Sequence, residues 1–250
     1  MFPIVIFSFS LFAPYQLNHR PYQDILMKNV VVARGHGPTC ESRYEAIKKV
    51  LKKIDFKRPI TVLDIGAASG YFSFRIAHDF DATCVMISDP KYDDVDLPKL
   101  CEFNKDVGNV ILLNKRISAD ELVALSEHEH FDVVLALNVL HHFRPSQCKK
   151  AAQAILNMAD YVIIETPPVE DKRTCGQMNL NVVTEFVQAH NHEIITKTKR
   201  HTSDYFSKMY LLCGNKRVKT KSHGISFSTF KSLAGVYPSG EMFERLFGGI

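Results

Sequence analysis

The chain has 250 residues, of which 46% are hydrophobic and 23% are charged, the ordinary mixture of a globular protein. This composition excludes a disordered, collagenous or fibrous chain, and no apolar run reaches the roughly 18 residues that a membrane-spanning helix needs. With 31 basic and 27 acidic residues, the net charge of +4 allows a nucleic-acid partner without requiring one. The six cysteines form no CxxC pair, so the sequence predicts neither a metal site nor a disulfide framework and favours a reducing, cytoplasmic location.

Residues 1–20 form an apolar N-terminal extension. Its opening run, MFPIVIFSFSLFA, lacks the basic region that precedes a secretory signal, and Pro3 and Pro14 do not suit a long helix. The alternatives are a strand or arm packed on the body, an extension upstream of the true start, and a signal or peripheral membrane contact.

Residues 21–58 are predicted to form a helical cap segment ahead of the core. Thr39 or Ser42 can cap a helix there, because apolar residues recur at three- and four-residue steps from Tyr44 to Ile54. The predicted helix of this segment therefore begins near Thr39 and precedes the core.

Residues 59–215 alternate between apolar strand-like runs and helix-like segments. Fully apolar runs are typical of parallel strands that helices cover on both faces, and two consecutive strands at the end predict an antiparallel hairpin. The predicted fold is α/β, a doubly wound three-layer sandwich with a mostly parallel seven-stranded sheet and an antiparallel last strand. The predicted strands are 60–65, 82–87, 110–113, 131–137, 161–164, 193–198 and 208–213, and the predicted helices are 71–78, 97–104, 119–126, 146–158 and 182–189.

The tail, residues 216–250, is basic and contains interleaved Phe and Tyr residues. It is predicted to be a lid, a packing arm or a partner surface, or else a solvated basic arm that folds back on the body. This tail is the feature that raises RNA as an alternative partner.

The strongest signal in the sequence is the run from Val62 to Phe72, which combines a buried strand, a glycine-rich turn and the start of a helix. The turn has neither the Lys-Ser or Lys-Thr of a P-loop nor the GxGxxG of a dinucleotide site. Asp64 precedes Gly66 instead. Its charge would repel a pyrophosphate but suits a cationic amine, and S-adenosylmethionine has an amine and a sulfonium but no phosphate.

A second acid, Asp89, lies just past the second strand of the core. An acid at about this distance from the first glycine binds ribose hydroxyls in nucleoside-binding sheets. The alternative is an ordinary turn residue before Pro90.

These residues, together with Phe131-Asp132 and the later Asn138-Val139-Leu140-His141-His142-Phe143, resemble class I S-adenosylmethionine-dependent methyltransferases over residues 60–213. The resemblance implies a Rossmann-like methyltransferase fold with S-adenosyl-L-methionine as the cofactor. It implies that the turn lines the methionine end, that Asp89 binds the ribose, and that residues after the fourth strand face the sulfonium. The usual acid after the third strand is not evident in Asn114–Ser118. The implied cofactor-binding residues are Asp64, Gly66, Ala67, Ala68, Gly70, Asp89, Ile117 beside the adenine, Leu137 and Asn138.

A second similarity extends upstream of the core. Pro21-Tyr22-Gln23-Asp24 and Arg43-Tyr44, followed by the glycine-rich turn and Leu140-His141-His142, resemble the methyltransferase part of bacterial O-antigen chain-terminating enzymes. This resemblance implies that Tyr22, Gln23 and Arg43 contact the methionine end of the cofactor, with Arg43 binding its carboxylate as a bidentate fork. The alternatives are a solvent-facing Arg43 and a packing role for Tyr22.

Methyl transfer is an in-line displacement, so such an enzyme mainly aligns acceptor and methyl group. A base is needed only if the acceptor must lose a proton. His141 and His142 follow the fourth strand, so either is a candidate catalytic base, the alternative being that one caps or packs the next helix. Glu165, at the end of the fifth strand, is a further pocket candidate.

Three absent motifs narrow the acceptor. There is no Asn/Asp-Pro-Pro-Tyr for amino methylation of bases, no Lys-Asp-Lys-Glu constellation for ribose methylation, and no paired Cys for pyrimidine C5 chemistry. We therefore expect an O-methyltransferase that acts on a saccharide, a phosphate or another small molecule. The alternatives are an RNA methyltransferase and a catalytically inactive methyltransferase-like scaffold.

Overall fold

The structure is a computed structural model that describes residues 21–37, 39–54, 56, 58–90, 95–171, 177–200 and 204–215. The apolar extension 1–20 and the basic tail 216–250 lie outside the described residues, so the interpretations of both stay predictions. Among the described residues, no helix is both long enough and apolar enough to cross a bilayer.

The described chain alternates strands and helices, as the sequence predicts. A short 3₁₀ turn, Leu140–His142, is added between the fourth core strand and the next helix. The strands are β1 (Ile25–Met27), β2 (Val30–Ala33), β3 (Ile60–Ile65), β4 (Ala82–Ser88), β5 (Asn109–Asn114), β6 (Phe131–Leu137), β7 (Ala159–Thr166), β8 (His192–Lys199) and β9 (Phe206–Cys213). The helices are α1 (Cys40–Ile54), α2 (Tyr71–Asp79), α3 (Leu97–Phe103), α4 (Ala119–His128), α5 (Pro145–Asn157) and α6 (Gln177–Gln188).

The main sheet has seven strands in the order β5-β4-β3-β6-β7-β9-β8. The five strands β3 to β7 are parallel to one another, and β9 runs antiparallel to both β7 and β8. This arrangement confirms the predicted doubly wound sheet with its antiparallel strand near the end. Because the chain moves outward from β3 on one side and from β6 on the other, the switch point of the sheet lies between the carboxyl ends of β3 and β6, where doubly wound sheets form the crevice that binds ligands.

Side chains alternate between two apolar layers along each buried strand. Val62 faces the layer that includes residues of α1, α2 and α3, whereas its neighbour Leu63 faces the layer formed with α4, α5 and α6. Each buried residue of this size contributes about 1.5–3 kcal/mol relative to an exposed position. The two layers hold the central strands rigidly, so the loops at their carboxyl ends have fixed positions.

The cap segment 21–58 differs from its prediction, because it contains the antiparallel hairpin β1–β2 as well as the predicted helix α1. The hairpin turns at Lys28 and Asn29, whose φ angles are 50° and 62°. Two consecutive positive φ angles are typical of the tight turns that match strand twist. The sequence signal was weak because the two strands are only 3 and 4 residues long.

Asn104, buried at the end of α3, attaches this hairpin to the body. Its Nδ2 donates to the carbonyl oxygens of Leu26 at 3.0 Å and Leu100 at 2.8 Å, and its Oδ1 accepts from the backbone N–H of Lys28 at 2.8 Å. One amide side chain thus satisfies backbone groups of both the hairpin and the helix.

We expect Asn104→Ala to lower the free energy of unfolding by about 2–3 kcal/mol, because it leaves buried backbone groups without partners. Urea denaturation measures this loss. The matched control is Asn109→Ala, at an exposed position at the beginning of β5, for which we expect a change within about 0.5 kcal/mol. Equal effects of the two variants would contradict the role of Asn104.

Candidate active site

The candidate site lies at the carboxyl edge of the sheet, in the crevice beside β3 and β6 and under the N-terminal end of α1. The site combines residues that precede the hairpin, residues of α1 and residues at the carboxyl ends of the five parallel strands β3 to β7. The structure places all the predicted cofactor residues on these elements or on the loops that follow them: Tyr22, Gln23, Arg43, Asp64, Gly66, Ala67, Ala68, Gly70, Asp89, Ile117, Leu137 and Asn138.

The glycine-rich turn after β3 has three left-handed residues. The φ angles are 73° at Gly66, 50° at Ala68 and 74° at Gly70. A Cβ at Gly66 would lie 2.6 Å from Cγ2 of Val139, and one at Gly70 would lie 2.9 Å from Sδ of Met86. Both glycines are therefore required by packing as well as by backbone conformation.

Three backbone amides of this turn donate hydrogen bonds within the protein. The N–H groups of Gly66 and Ala67 both donate to the carbonyl oxygen of Ile87, at 2.9 and 3.0 Å, and the N–H of Gly70 donates to that of Ala67. The amides of Gly66 and Ala67 bind the turn to β4, and that of Gly70 closes the turn on itself.

Asp64 is the penultimate residue of β3, with only 2% of its surface exposed. Its Oδ2 accepts a hydrogen bond of 2.9 Å from Oγ of Ser73 in the first turn of α2. Burial raises the pKa of the Asp64 carboxyl to about 6, although the Ser73 hydrogen bond and the charge of Arg43 act in the opposite direction. A carboxylate desolvated to this degree is stabilised by a nearby cation.

Arg43 lies in the first turn of α1, with 1% of its side chain exposed. Its Nη2 forms a buried ion pair with Oε2 of Glu165, and its guanidinium lies 4.8 Å from the ring centroid of Phe72. Burial alone would lower the pKa of Arg43, but the Glu165 carboxylate, with Tyr22 and Cys40 acting in the same direction, raises that pKa overall. Among the described residues, Nε and Nη1 of Arg43 have no hydrogen-bond partner, so two buried donors are left for a ligand.

Glu165 also binds Asn138, the residue that follows β6. Nδ2 of Asn138 donates to Oε2 of Glu165 at 2.9 Å, and its backbone N–H donates to the Glu165 carbonyl oxygen at 2.9 Å. Asn138 has a φ of 56°, a region that Asn adopts more readily than most residues. Oε1 of Glu165 and Oδ1 of Asn138 are buried without a partner in the described part of the chain, so two acceptors add to the two donors of Arg43.

Tyr22 and Gln23 precede the hairpin and lie against this cluster. Oε1 of buried Gln23 accepts a hydrogen bond of 3.4 Å from Oγ of Ser69 in the glycine-rich turn. Burial raises the pKa of the half-buried Tyr22, while the charge of Arg43 opposes this shift and that of Glu165 adds to it. Both residues are thus brought to the end of the site that Arg43 occupies.

Asp89 and Ile117 lie at the other end of the crevice, after β4 and β5. Asp89 is half-buried, and its Oδ2 lies 3.9 Å from Nε of Arg116. Ile117 is partly buried against the apolar layer of α4 and α5. Oγ of Ser88 donates to the Ala68 carbonyl oxygen at 3.3 Å, which ties the end of β4 to the glycine-rich turn.

The two histidines of the 3₁₀ turn differ in environment. His141 is 4% exposed, and burial lowers the pKa of its ring to about 3, with His142 and Arg200 acting in the same direction. Nδ2 of Asn179 holds the His141 carbonyl oxygen at 3.0 Å, whereas His142 is exposed. Burial also lowers the pKa of the His142 ring. Because a ring that resists protonation is a weak proton acceptor, a base role for either histidine stays a prediction.

Sequence reasoning did not anticipate two partners in this site. Ser73, which donates to Asp64, lies in the first turn of α2, and its spacing carries no motif. The sequence indicates Glu165 as a pocket residue but does not indicate that it pairs with Arg43. Its signal was an acid that directly follows the apolar run Val162–Ile164.

Comparisons with known proteins agree with this geometry. A family profile described as "Methyltransferase domain" matches residues 41–198. The chain belongs to this family. The match confirms the resemblance to methyltransferases that the glycine-rich turn indicated.

The relatives include the O-antigen chain terminator bifunctional methyltransferase/kinase WbdD of Escherichia coli. It is 25% identical over 185 residues, which cover 71% of this chain and 25% of WbdD. The chain therefore spans about a quarter of the length of the curated relatives that it matches. The similarity confirms the second resemblance, which rested on Tyr22, Gln23 and Arg43.

Solved structures share the fold at low identity. A crystal structure of WbdD superimposes with a TM-score of 0.60 at 23% identity, covering 72% of this chain and 42% of that one. Magnesium protoporphyrin IX methyltransferase from Synechocystis PCC 6803, crystallised with bound SAM, gives 0.50 at 16% identity, covering 70% and 79%. The N-terminal domain of EvdMO1, crystallised in the presence of SAH and D-fucose, gives 0.52 at 13% identity, covering 80% and 93%.

The raised pKa of Asp64 leads to a prediction about stability. Because the folded protein holds this proton to about pH 6 and an unfolded Asp releases it near 3.8, the Asp64 carboxyl lowers stability as the pH rises through that window. We expect Asp64→Asn to gain up to about 3 kcal/mol relative to wild type between pH 4 and pH 7 without ligand. Denaturant unfolding at several pH values measures this difference, and a difference that does not change with pH contradicts the raised pKa.

Proposed function

We propose that the protein is an S-adenosylmethionine-dependent methyltransferase. The observation that carries this proposal is the buried cluster of Arg43, Asp64 and Glu165 at the switch point. Two carboxylates and one guanidinium give the cluster a formal charge of minus one at neutral pH. S-adenosylmethionine carries a sulfonium, an ammonium and a carboxylate, so its charge of plus one is complementary.

The unpartnered polar atoms fit the amino-acid end of this cofactor. One of the free donors of Arg43, Nε or Nη1, suits its carboxylate, and Asp64 supplies negative charge for its ammonium. These contacts argue against an inactive scaffold, because a buried charge cluster is costly where it has no ligand to bind.

The remaining cofactor residues follow the axis of the crevice. Tyr22 and Gln23 lie beside the methionine end, and Leu137 and Asn138 border the sulfonium. Asp89 would bind ribose hydroxyls. The residues that complete this set are Gly66, Ala67, Ala68 and Gly70, over which the nucleoside passes, and Ile117, which flanks the adenine.

The bound cofactor supplies a methyl group activated by the sulfonium. The chain's own residues then hold the cofactor and the acceptor in line, which accounts for most of the rate gain in such reactions. His141 is neutral and weakly basic, which suits an acceptor oxygen that is already ionised. An ionised phosphate oxygen needs no base, whereas a saccharide hydroxyl would use His142 or water.

The acceptor that we propose is a saccharide, a phosphate or another small molecule. Its support is the similarity to a chain terminator of O-antigen, a polysaccharide. The basic tail that raised RNA as an alternative lies outside the described residues. A cytoplasmic location is part of the proposal, supported by free thiols at Cys40, Cys84, Cys101, Cys148 and Cys213.

Calorimetric titration with S-adenosylmethionine tests the proposal. We expect wild type to bind at tens of micromolar or tighter, and Asp64→Asn to weaken binding at least about tenfold because it removes a charge that faces the ligand cations. Affinity of wild type rises between pH 5 and pH 7 as Asp64 loses its proton. Asp132→Asn, which removes an equally buried acid at the start of β6, serves as the control and leaves the affinity unchanged.

Absence of binding to wild type would favour the inactive scaffold. An unchanged affinity in Asp64→Asn would remove Asp64 from the site.

Transfer of a radiolabelled methyl group distinguishes the acceptors. We expect label on phosphorylated or neutral saccharides, with little dependence on salt concentration. Labelled RNA, with an affinity that falls steeply as salt increases, would instead support the RNA alternative.

A further inference from the structure

Glu165 lies where two parts of the site meet. It is near the end of β7, level with Leu137 of β6 on one side and Met209 of β9 on the other. Its side chain is fully enclosed, and its Oε2 accepts hydrogen bonds from Nη2 of Arg43 on α1 and Nδ2 of Asn138 after β6. One carboxylate oxygen therefore joins the cap, the central strand and the edge of the parallel sheet.

Stability alone does not account for an acid at this position. The neighbouring residues on both adjacent strands, Leu137 and Met209, are apolar. Replacing a buried ion pair by apolar residues of similar size is often neutral or stabilising, because both charges lose their hydration. Glu165 is thus better explained by what it does to Arg43 than by a gain in stability.

The effect of Glu165 on Arg43 is to hold a long, flexible side chain in one orientation. In the described part of the chain, Glu165 is the ion-pair partner of Arg43, and the guanidinium also lies over the face of Phe72. With Nη2 bound, Nε and Nη1 are fixed in position and are unpartnered. A donor that is already oriented loses less conformational entropy on binding a ligand.

We propose that Glu165 is a positioning residue that orients Arg43 toward the carboxylate at the methionine end of the cofactor. This inference rests on the proposed function. Glu165 acts through Arg43, and through Asn138 it couples that end to the loop beside the sulfonium. Its role is therefore specific to ligands that carry the amino-acid group.

Two ligands separate this role from a merely structural one. S-adenosylhomocysteine carries the amino-acid end, and 5′-methylthioadenosine has the same nucleoside and sulfur without it. We expect Glu165→Gln to weaken S-adenosylhomocysteine at least tenfold, because the amide no longer compensates or orients the guanidinium. Binding of 5′-methylthioadenosine changes less than twofold. Calorimetric titration of both ligands measures the two changes.

Asp132→Asn is the matched control. Asp132 is also buried and pairs with an arginine, since its Oδ1 and Oδ2 accept from Arg58 at 2.6 and 2.9 Å. It lies at the amino end of β6, at the opposite edge of the sheet from the site. We expect this variant to melt at a lower temperature than wild type and to bind both ligands as wild type does.

A second variant applies if Glu165→Gln does not fold. Glu165→Asp keeps the charge that compensates Arg43 but shortens the side chain by one methylene, so the same selective loss is expected. Equal losses for both ligands, or no loss for either, in the folded variant would overturn the positioning role. Failure of wild type to bind either ligand would contradict the proposed function instead.

Discussion

The buried guanidinium of Arg43 is the constraint on which the rest of the site depends. A cation withdrawn from water must be compensated, and Glu165 does so directly while Asp64 acts from β3. The ion pair between Arg43 and Glu165 joins the first turn of α1 to the end of β7 and so fixes the cap over the crevice. Gln23 then completes the enclosure against Ser69 of the glycine-rich turn. Ion pairing between residues that are distant in sequence therefore holds the site together, and the sheet fixes the positions of the acids.

The sheet was predictable because local pattern and burial agree along it. The predicted strands 60–65 and 131–137 coincide with β3 and β6, since both are mainly apolar, β-branched runs that end at a turn residue. The predicted strand 161–164 is shorter than β7, because polar residues at both ends of that strand break the apolar run while the backbone pairing continues. Hydrophobic pattern thus locates a strand but underestimates its length wherever functional residues occupy its end.

The parts that were not predictable depend on contacts between distant residues. The hairpin β1–β2 is too short to show a period, and its position depends on Asn104, which is 78 residues from Leu26. Likewise, Arg43 and Glu165 are 122 residues apart, so the sequence shows an arginine on a helix and an acid at a strand end but not that they meet. The family resemblance predicted the cofactor residues one by one. It did not reveal the ion pair that joins them, because the partner lies outside the motifs.

Burial raises the pKa of the Asp64 carboxyl and lowers the pKa of the His141 ring. At pH 7 Asp64, with a pKa of about 6, is mostly charged, and His141, with a pKa of about 3, is neutral. Negative charge is thereby concentrated at Asp64, whereas the neutral His141 adds no positive charge. Under the proposed function, methyl transfer removes the positive charge of the sulfonium, so the product is held less strongly by the acidic cluster than the substrate is. The electrostatics that favour binding of the fresh cofactor therefore also favour release of the spent one.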